Sequence, residues 1–310
     1  MSIDGYEAVV VGGSFAGQAA ATMLARARRR VLVVDAGRPR NRFSHASHGF
    51  PGQDGRPPAD ILATFREQLL AYPTVEFRQD EAIAARREDD AFAVDLASGD
   101  AVRARRLVLA TGLVDELPEF PGLRERWGVS VLHCPYCHGY EVGDKRLGVL
   151  AVGPASAHQA LLLPDWSADV TLFTNGAFEP DAELRDALEA RGVRVEPRPV
   201  EALLGAAPGL TGVRLRDGTS IPLDALFTGA LTRMASPLAE QLGCAFDDGP
   251  FGPIVRTDAK KETTVPGVYA AGDAARAPHN ATWAAADGVT AGVFAHQSLV
   301  MERVPARAGG

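Results

Sequence analysis

The first apolar run of the chain is Ala8-Val9-Val10-Val11, with no polar residue inside it. A strand covered on one face alternates apolar and polar positions, so an unbroken run predicts a parallel strand covered on both faces. A glycine-rich turn follows, then an alanine-rich helical stretch to about Arg28. A second apolar run, Val31-Leu32-Val33-Val34, ends at Asp35. This is the pattern of a βαβ unit. Leu107-Val108-Leu109-Ala110-Thr111-Gly112 predicts another buried strand running into a tight turn. A second βαβ pattern begins at Leu147-Gly148-Val149-Leu150. It passes through Gly153-Pro154-Ala155 into a helix over 157–163 and returns on Val170-Thr171-Leu172-Phe173. Near the end, Val268-Tyr269-Ala270-Ala271-Gly272-Asp273 repeats the order strand, glycine, acid, and a helix is predicted from about Ala281 to Leu299.

Two such units predict an α/β protein with two Rossmann-like domains. The C-terminal strand and helix are too short to form a domain, so they are expected to return to the first one. That places one domain at 1–114 plus 233–310 and an inserted domain at 115–232. No repeat or low-complexity segment interrupts this scheme, and the short tail after Arg303 is expected to fray.

Residues 8–25 carry no charge for 18 positions, enough to imitate a membrane span or a signal peptide. Asp4 and Glu7 precede the stretch, where a signal peptide needs positive charge. Gly12, Gly13, Ser14, Gly17 and Gln18 interrupt its middle, as a strand, turn and helix would. The 310 residues include 46% hydrophobic and 23% charged residues, the composition of a globular protein. A net charge of −7 gives no electrostatic case for nucleic acid or an anionic membrane. Neither partner is expected.

The three cysteines are Cys134, Cys137 and Cys244. Two in a CxxC and one alone do not make a structural disulfide framework; the pair suits redox or metal chemistry in a cytoplasmic protein. Zinc would need two further ligands, and His133 and His138 lie too close in sequence to reach the same ion easily. Cys244, Trp166 and Trp283 read as packing residues.

The first turn reads Gly12-Gly13-Ser14-Phe15-Ala16-Gly17. In a dinucleotide fingerprint the first glycine makes the turn and the last lets helix and strand pack closely. The helix N-terminus then meets a pyrophosphate with free N–H groups. Ser14 replaces the middle glycine, but Gly13 beside it keeps the backbone approachable. Asp35 stands 23 positions after Gly12, where a carboxylate can accept from a ribose. Ala36 and Arg42 complete the candidate contacts on this side. Strand, turn, helix, strand and acid in order point to a bound dinucleotide rather than to an idle glycine turn.

His133-Cys134-Pro135-Tyr136-Cys137-His138-Gly139-Tyr140-Glu141 carries the other chemistry. Proline is favoured at the first helical position, so Pro135 places Cys134 at a helix N-terminus, where a thiol pKa falls. His138 is a candidate general acid or base beside the pair, with His133 second. His45, His48 and His279 are weaker candidates for lining the cofactor pocket.

Ala110-Thr111-Gly112 and the stretch from Thr264 to Asp273 resemble the second and third signatures of the FAD-dependent pyridine-nucleotide disulfide oxidoreductases. Over nearly its full length the chain resembles the low-molecular-weight thioredoxin reductases. The resemblance implies that FAD is the cofactor and that Gly272 and Asp273 hold its ribityl–phosphate region. The helix after Asn280 and Ala281 would point its N-terminus at the flavin. It also implies that Cys137 faces the flavin, that Cys134 meets the substrate, and that the protein is a homodimer. The family has an aspartate after the second cysteine; His138 stands there instead.

The inserted domain departs from the family at its nucleotide turn, which reads Ala151-Val152-Gly153-Pro154-Ala155-Ser156. No arginine or lysine follows in Thr174-Asn175-Gly176-Ala177-Phe178-Glu179, and Glu179 and Asp181 have the wrong sign for a 2′-phosphate. The family's Arg-Gln-Ala is replaced by His279-Asn280-Ala281. NADP(H) is therefore a doubtful donor. In these features the chain resembles the thioredoxin-reductase-like dithiol oxidases, which close disulfides in small natural products. That resemblance implies a small-molecule dithiol as substrate, electrons running through Cys134 and Cys137 to the flavin, and oxygen as acceptor. A reductase of thioredoxin or a similar disulfide, fed by NADPH, NADH or another donor such as ferredoxin, is the alternative, and a redox sensor without turnover the third reading.

Overall fold

The computed structural model describes residues 5–303, so the tail after Arg303 lies outside the described residues. In chain order the first part holds β1 (Tyr6–Val11), α1 (Phe15–Arg26), β2 (Val31–Asp35), α2 (Pro58–Leu70), β3 (Val75–Gln79), β4 (Ala82–Glu88), β5 (Ala91–Leu96) and β6 (Ala101–Leu109). The middle part holds β7 (Leu113–Glu116), β8 (Val131–Leu132), α3 (Pro135–His138), β9 (Leu147–Leu150), α4 (Ser156–Leu162), β10 (Val170–Phe173), α5 (Ala182–Ala190) and β11 (Arg194–Glu196). It continues with β12 (Val200–Leu204), β13 (Gly212–Leu215), β14 (Ser220–Pro222), β15 (Ala225–Thr228) and β16 (Leu231–Met234). The last part holds α6 (Leu238–Gln241), β17 (Phe246–Gly249), β18 (Gly252–Val255), β19 (Val268–Ala270) and α7 (Ala281–Met301).

The chain divides into two units. One comprises the residues up to Arg42, Ala59–Val114 and those from Thr232 onward; the other comprises Phe43–Pro58 and Asp115–Leu231. The expected division differs chiefly in residues 43–58, assigned from sequence to the first domain, which belong with the inserted unit, and by the one residue Thr232, which belongs with the first. Within that unit Phe43 packs on Gly128, where an added side chain would press on Phe43 Cβ at 2.9 Å. No sequence pattern announces such a contact, because the two residues come from different segments.

In the first unit the sheet runs β3-β2-β1-β6 in parallel, with β5 and β4 continuing antiparallel. β6 has two partners along one edge. Its first half, Ala101–Ala104, pairs with β5, and its last residues, Leu107–Leu109, pair in parallel with β19. The C-terminal return is thus a strand laid beside β6. Chain connections diverge on either side of β1, so the carboxyl ends of β1, β6 and β19 open onto a topological switch point, where α/β sheets bind ligands. α1 and α7 pack backbone to backbone, and a Cβ at Gly288 would overlap the carbonyl of Ala16.

The second unit has a five-stranded parallel sheet, β11-β10-β9-β15-β8, and an antiparallel meander, β12-β13-β14. Leu147, Val149, Leu172 and Phe227 fill one core, and Phe173, Val200, Val213 and Leu226 another. β9 and β10 are buried throughout, so apolar surface on both faces accounts for their unbroken hydrophobic runs.

Candidate functional site

At the end of β1, Gly12 adopts φ +104°, and a Cβ there would overlap the carbonyl of Ala110. Only glycine allows the turn and this close strand approach together. Ser14 is the N-cap of α1 but makes no side-chain capping bond. The first amides of a twelve-residue helix therefore keep their capacity for an anion. Phe15 and Ala16 are buried, Phe15 edge-on to Phe65 at 6.1 Å, so only their backbone can meet a ligand.

Asp35 ends β2 and accepts from Gly13 N–H at 3.0 Å. Arg66 of α2 stands 3.6 Å from its other oxygen and stacks 3.9 Å over Phe77. A cavity of about 470 Å³ opens here, lined by Gly13, Ser14, Asp35, Pro39, Leu62 and Arg66 among others. That volume suits a nucleoside. Where the carboxyl ends of β1, β6 and β19 converge, Gly112 and Gly272 take φ +68° and +71°. Asp273 follows and pairs with Arg40 at 2.8 Å, both side chains less than a fifth exposed. Arg42 instead donates to the carbonyl of Pro39 at 3.0 Å. Arg40, which the sequence pattern does not single out, has its partner 233 positions away. Asn280 caps α7 by accepting Thr282 N–H at 2.7 Å, with Ala281 the first helical residue. Glycine cradle, free helix terminus and acidic strand end together fit the pyrophosphate and ribose of FAD.

The inserted unit carries the redox pair. Cys134 and Cys137 form a disulfide with Cα atoms 5.3 Å apart. Cys134 is the N-cap of the single-turn α3, with Pro135 at its first position. Pro135 is buried, whereas Tyr136 is 72% and Tyr140 86% exposed. Trp166 meets Tyr136 edge-on at 5.5 Å and covers Gly139, so it packs as expected. Cys244, buried in the first unit, approaches the hydroxyl of Thr263 at 3.5 Å, and burial pushes its thiol pKa up.

His138 closes α3, and its pKa lies below the ordinary 6.5. Burial is the main cause, reinforced by His48 and His133 and opposed by Glu141. The imidazole is consequently neutral at pH 7, the form that accepts a proton. His133 holds its Nδ1 3.4 Å from the carbonyl of Thr228, while its own carbonyl accepts from Gln159 at 2.6 Å. His48 comes from the 43–58 segment, with Nε2 3.4 Å from Glu141. Nothing in the residues around His48 signals that position.

At the second glycine turn, Val152 N–H donates to the hydroxyl of Ser156 at 3.1 Å, so the turn already uses one of its amides. Asn175 Oδ1, just after β10, accepts from Val200 N–H at 2.9 Å. Asp181 caps α5 through Leu184 N–H at 2.8 Å, and Glu179 pairs with Arg185 at 2.6 Å. Both acids thus have local partners.

Residues 6–288 match the model of the pyridine nucleotide-disulphide oxidoreductase family. A curated relative, thioredoxin reductase tcpT of Claviceps purpurea, is 33% identical, the alignment covering 96% of this chain and 95% of the relative. Among solved structures, an oxidoreductase from Agrobacterium tumefaciens superposes with a TM-score of 0.92 at 46% identity, covering 96% of this chain and 99% of that one. The structure of a protein named HlmI superposes with a TM-score of 0.90 at 41% identity, covering 97% and 95%. No helix among the described residues is long and apolar enough to cross a membrane.

Proposed function

Because the chain belongs to the pyridine nucleotide-disulphide oxidoreductase family and is an FAD-dependent disulfide oxidoreductase, we propose that it oxidises a small-molecule dithiol to a disulfide with oxygen as final acceptor. The observation carrying this reading is the region where the inserted unit would hold NADPH. After β10 it presents Glu179 and Asp181 where a 2′-phosphate needs cations; Asp181 is occupied as the cap of α5, and Glu179 engages the nearby cation, Arg185. Exposed Tyr136 and Tyr140 beside the disulfide offer aromatic surface to a small substrate.

In this reading His138 takes the proton of one substrate thiol. The thiolate attacks Sγ of Cys134, forming a mixed disulfide and breaking the bond to Cys137, which leaves as a thiolate. The second substrate sulfur, on losing its proton, attacks its partner sulfur and releases Cys134. The substrate is oxidised by two electrons and the pair reduced by two. FAD, when bound, would supply the acceptor for that electron pair, and with oxygen as the final acceptor dithiol and O2 would become disulfide and H2O2. FAD would lie with its pyrophosphate on the α1 N-terminus between Gly12 and Gly17, its adenosine ribose on Asp35, and its ribityl–phosphate region near Asp273 and Arg40. Ala110, Thr111 and Gly112 would border it, with Asn280 and Ala281 toward the isoalloxazine.

A second reading, reduction of a thioredoxin-like protein by NADPH, has in its favour the similarity to the thioredoxin reductase of Claviceps purpurea. Anaerobic reduction followed at the flavin band separates the two. Dithiothreitol is expected to bleach the flavin and NADPH to leave it oxidised, with air restoring the band and one peroxide released per dithiol. Rapid bleaching by NADPH would make the protein a reductase.

A further inference from the structure

Gly13 does more than keep the first turn open. A Cβ there would press on Phe77 Cζ at 2.7 Å and on Asp35 Cβ at 2.7 Å, so the Phe77 ring, from β3, and the acidic end of β2 both pack against the turn. The guanidinium of Arg66, from α2, lies over that ring with its carbon 3.9 Å from the centroid. Its Nη2 stands 3.6 Å from Asp35 Oδ2, while Asp35 Oδ1 accepts from Gly13 N–H at 3.0 Å. Turn, ring, cation and carboxylate form one built cluster, all of it within the first unit.

The cavity of about 470 Å³ opens on this cluster. Arg66 lines it and Phe77 does not, so the guanidinium lies between the ring and the open space. Leu62, Ala63 and Leu70 of α2 add an apolar wall, and Leu70 is left 48% exposed. A guanidinium can be stacked on both faces at once, because its donors lie in its plane and its faces are weakly hydrated. Here one face is taken by Phe77, and the charge is offset by Asp35, which makes Arg66 a poor anchor for a phosphate. What it still offers the cavity is a flat cationic surface, beside an apolar wall and an acid able to accept from ribose hydroxyls. A purine nucleoside has the matching parts.

We propose that Arg66 recognises the adenine of FAD, its guanidinium held flat between the Phe77 ring and the base. The proposal rests on the placement of the adenosine ribose on Asp35, and not on which compound reduces the flavin. Arg66 and Phe77 reach Asp35 from separate elements, α2 and β3, so packing of the first unit builds the adenine platform before any cofactor arrives.

The test follows release of FAD from the full-length holoprotein on dilution, read as the rise in flavin fluorescence. Wild type is compared with Arg66→Ala, Arg66→Lys, Asp35→Asn and the double variant Arg66→Ala/Asp35→Asn. Arg66→Ala is expected to hold FAD roughly tenfold more weakly, the size of a desolvated cation–π contact. Arg66→Lys should lose nearly as much, because lysine keeps the charge beside Asp35 but has no plane to stack. Asp35→Asn should also weaken FAD, and Arg66→Ala should weaken it further in that background, since stacking needs no carboxylate. Wild-type affinity in either single Arg66 variant would overturn the stacking role. So would a loss that disappears in the Asp35→Asn background, the signature of a residue that only orients Asp35. If Asp35→Asn alone keeps wild-type affinity, the adenosine lies elsewhere, and placement and proposal fall together. Thermal midpoints at saturating FAD identify a variant that is simply unstable; Arg66→Lys, a conservative change at a side chain 41% exposed, then carries the test. The proposed function stands or falls separately, on which compound bleaches the wild-type flavin.

Discussion

In the proposed function His138, which follows Cys137, is the proton acceptor, and its surroundings change the pH at which it is ready. An imidazole whose pKa is held below 6.5 is neutral throughout the physiological range and loses its basicity only on acidification. The rate of flavin reduction by a dithiol should therefore fall as pH drops through a value below 6.5, and His138→Gln should abolish that limb with a loss of about a hundredfold. A pH profile of the reductive half-reaction in the two proteins checks this. The pair of Arg40 and Asp273 makes the second residue-scale prediction. Arg40→Leu leaves Asp273 partly buried without its cation and removes positive charge beside the proposed pyrophosphate. FAD should bind about tenfold more weakly, measured by flavin fluorescence on dilution, with the CxxC chemistry of the retained holoenzyme unchanged. Cys134, Cys137 and His138 were legible from local spacing. Arg40 and His48 were not, since each acquires its meaning from a partner remote in sequence.

Among the elements, β1, α1 and β2 were readable because each of their signals is local. The apolar runs follow from burial on both faces, and the turn glycines from backbone sterics. α7 was predicted close to its length, yet its role could not be read from its composition. It lies against α1 at a separation set by Gly288 and Gly292 over the carbonyls of Ala16 and Ala20. Gly288→Val forces these helices apart and should destabilise the protein by about 3 kcal/mol. A lowered thermal midpoint together with loss of bound flavin would report it, because α1 and α7 both end at the proposed cofactor site. The same mutation at Gly153, around which space is open, should leave stability nearly unchanged.

At the scale of the whole chain, one Rossmann-like unit is interrupted by another, and the two have kept different equipment. The first retains the glycine cradle, the acidic strand end and the arginine–aspartate pair. The second keeps the strands and core but places Ser156, Asp181 and Glu179 in local bonds around the region where a nucleotide phosphate would need donors and cations. The anaerobic comparison of dithiothreitol with NADPH belongs to this scale, since it asks whether the inserted unit delivers electrons to the flavin through its disulfide or from a nucleotide. The excursion of residues 43–58 also belongs here: a segment flanked on both sides by first-unit chain belongs to the inserted unit and brings His48 to Glu141.

Sequence alone determined the α/β class, both βαβ units, the cofactor fingerprint and the redox pair. Each depends on residues within a few turns of one another, where backbone sterics and hydrophobic periodicity act directly. Tertiary structure decided which strand receives the C-terminal return, which arginine meets Asp273, and which histidine meets Glu141. Those choices depend on long-range packing: β19 finds the free edge of β6, and Phe43 on Gly128 anchors the loop that carries His48.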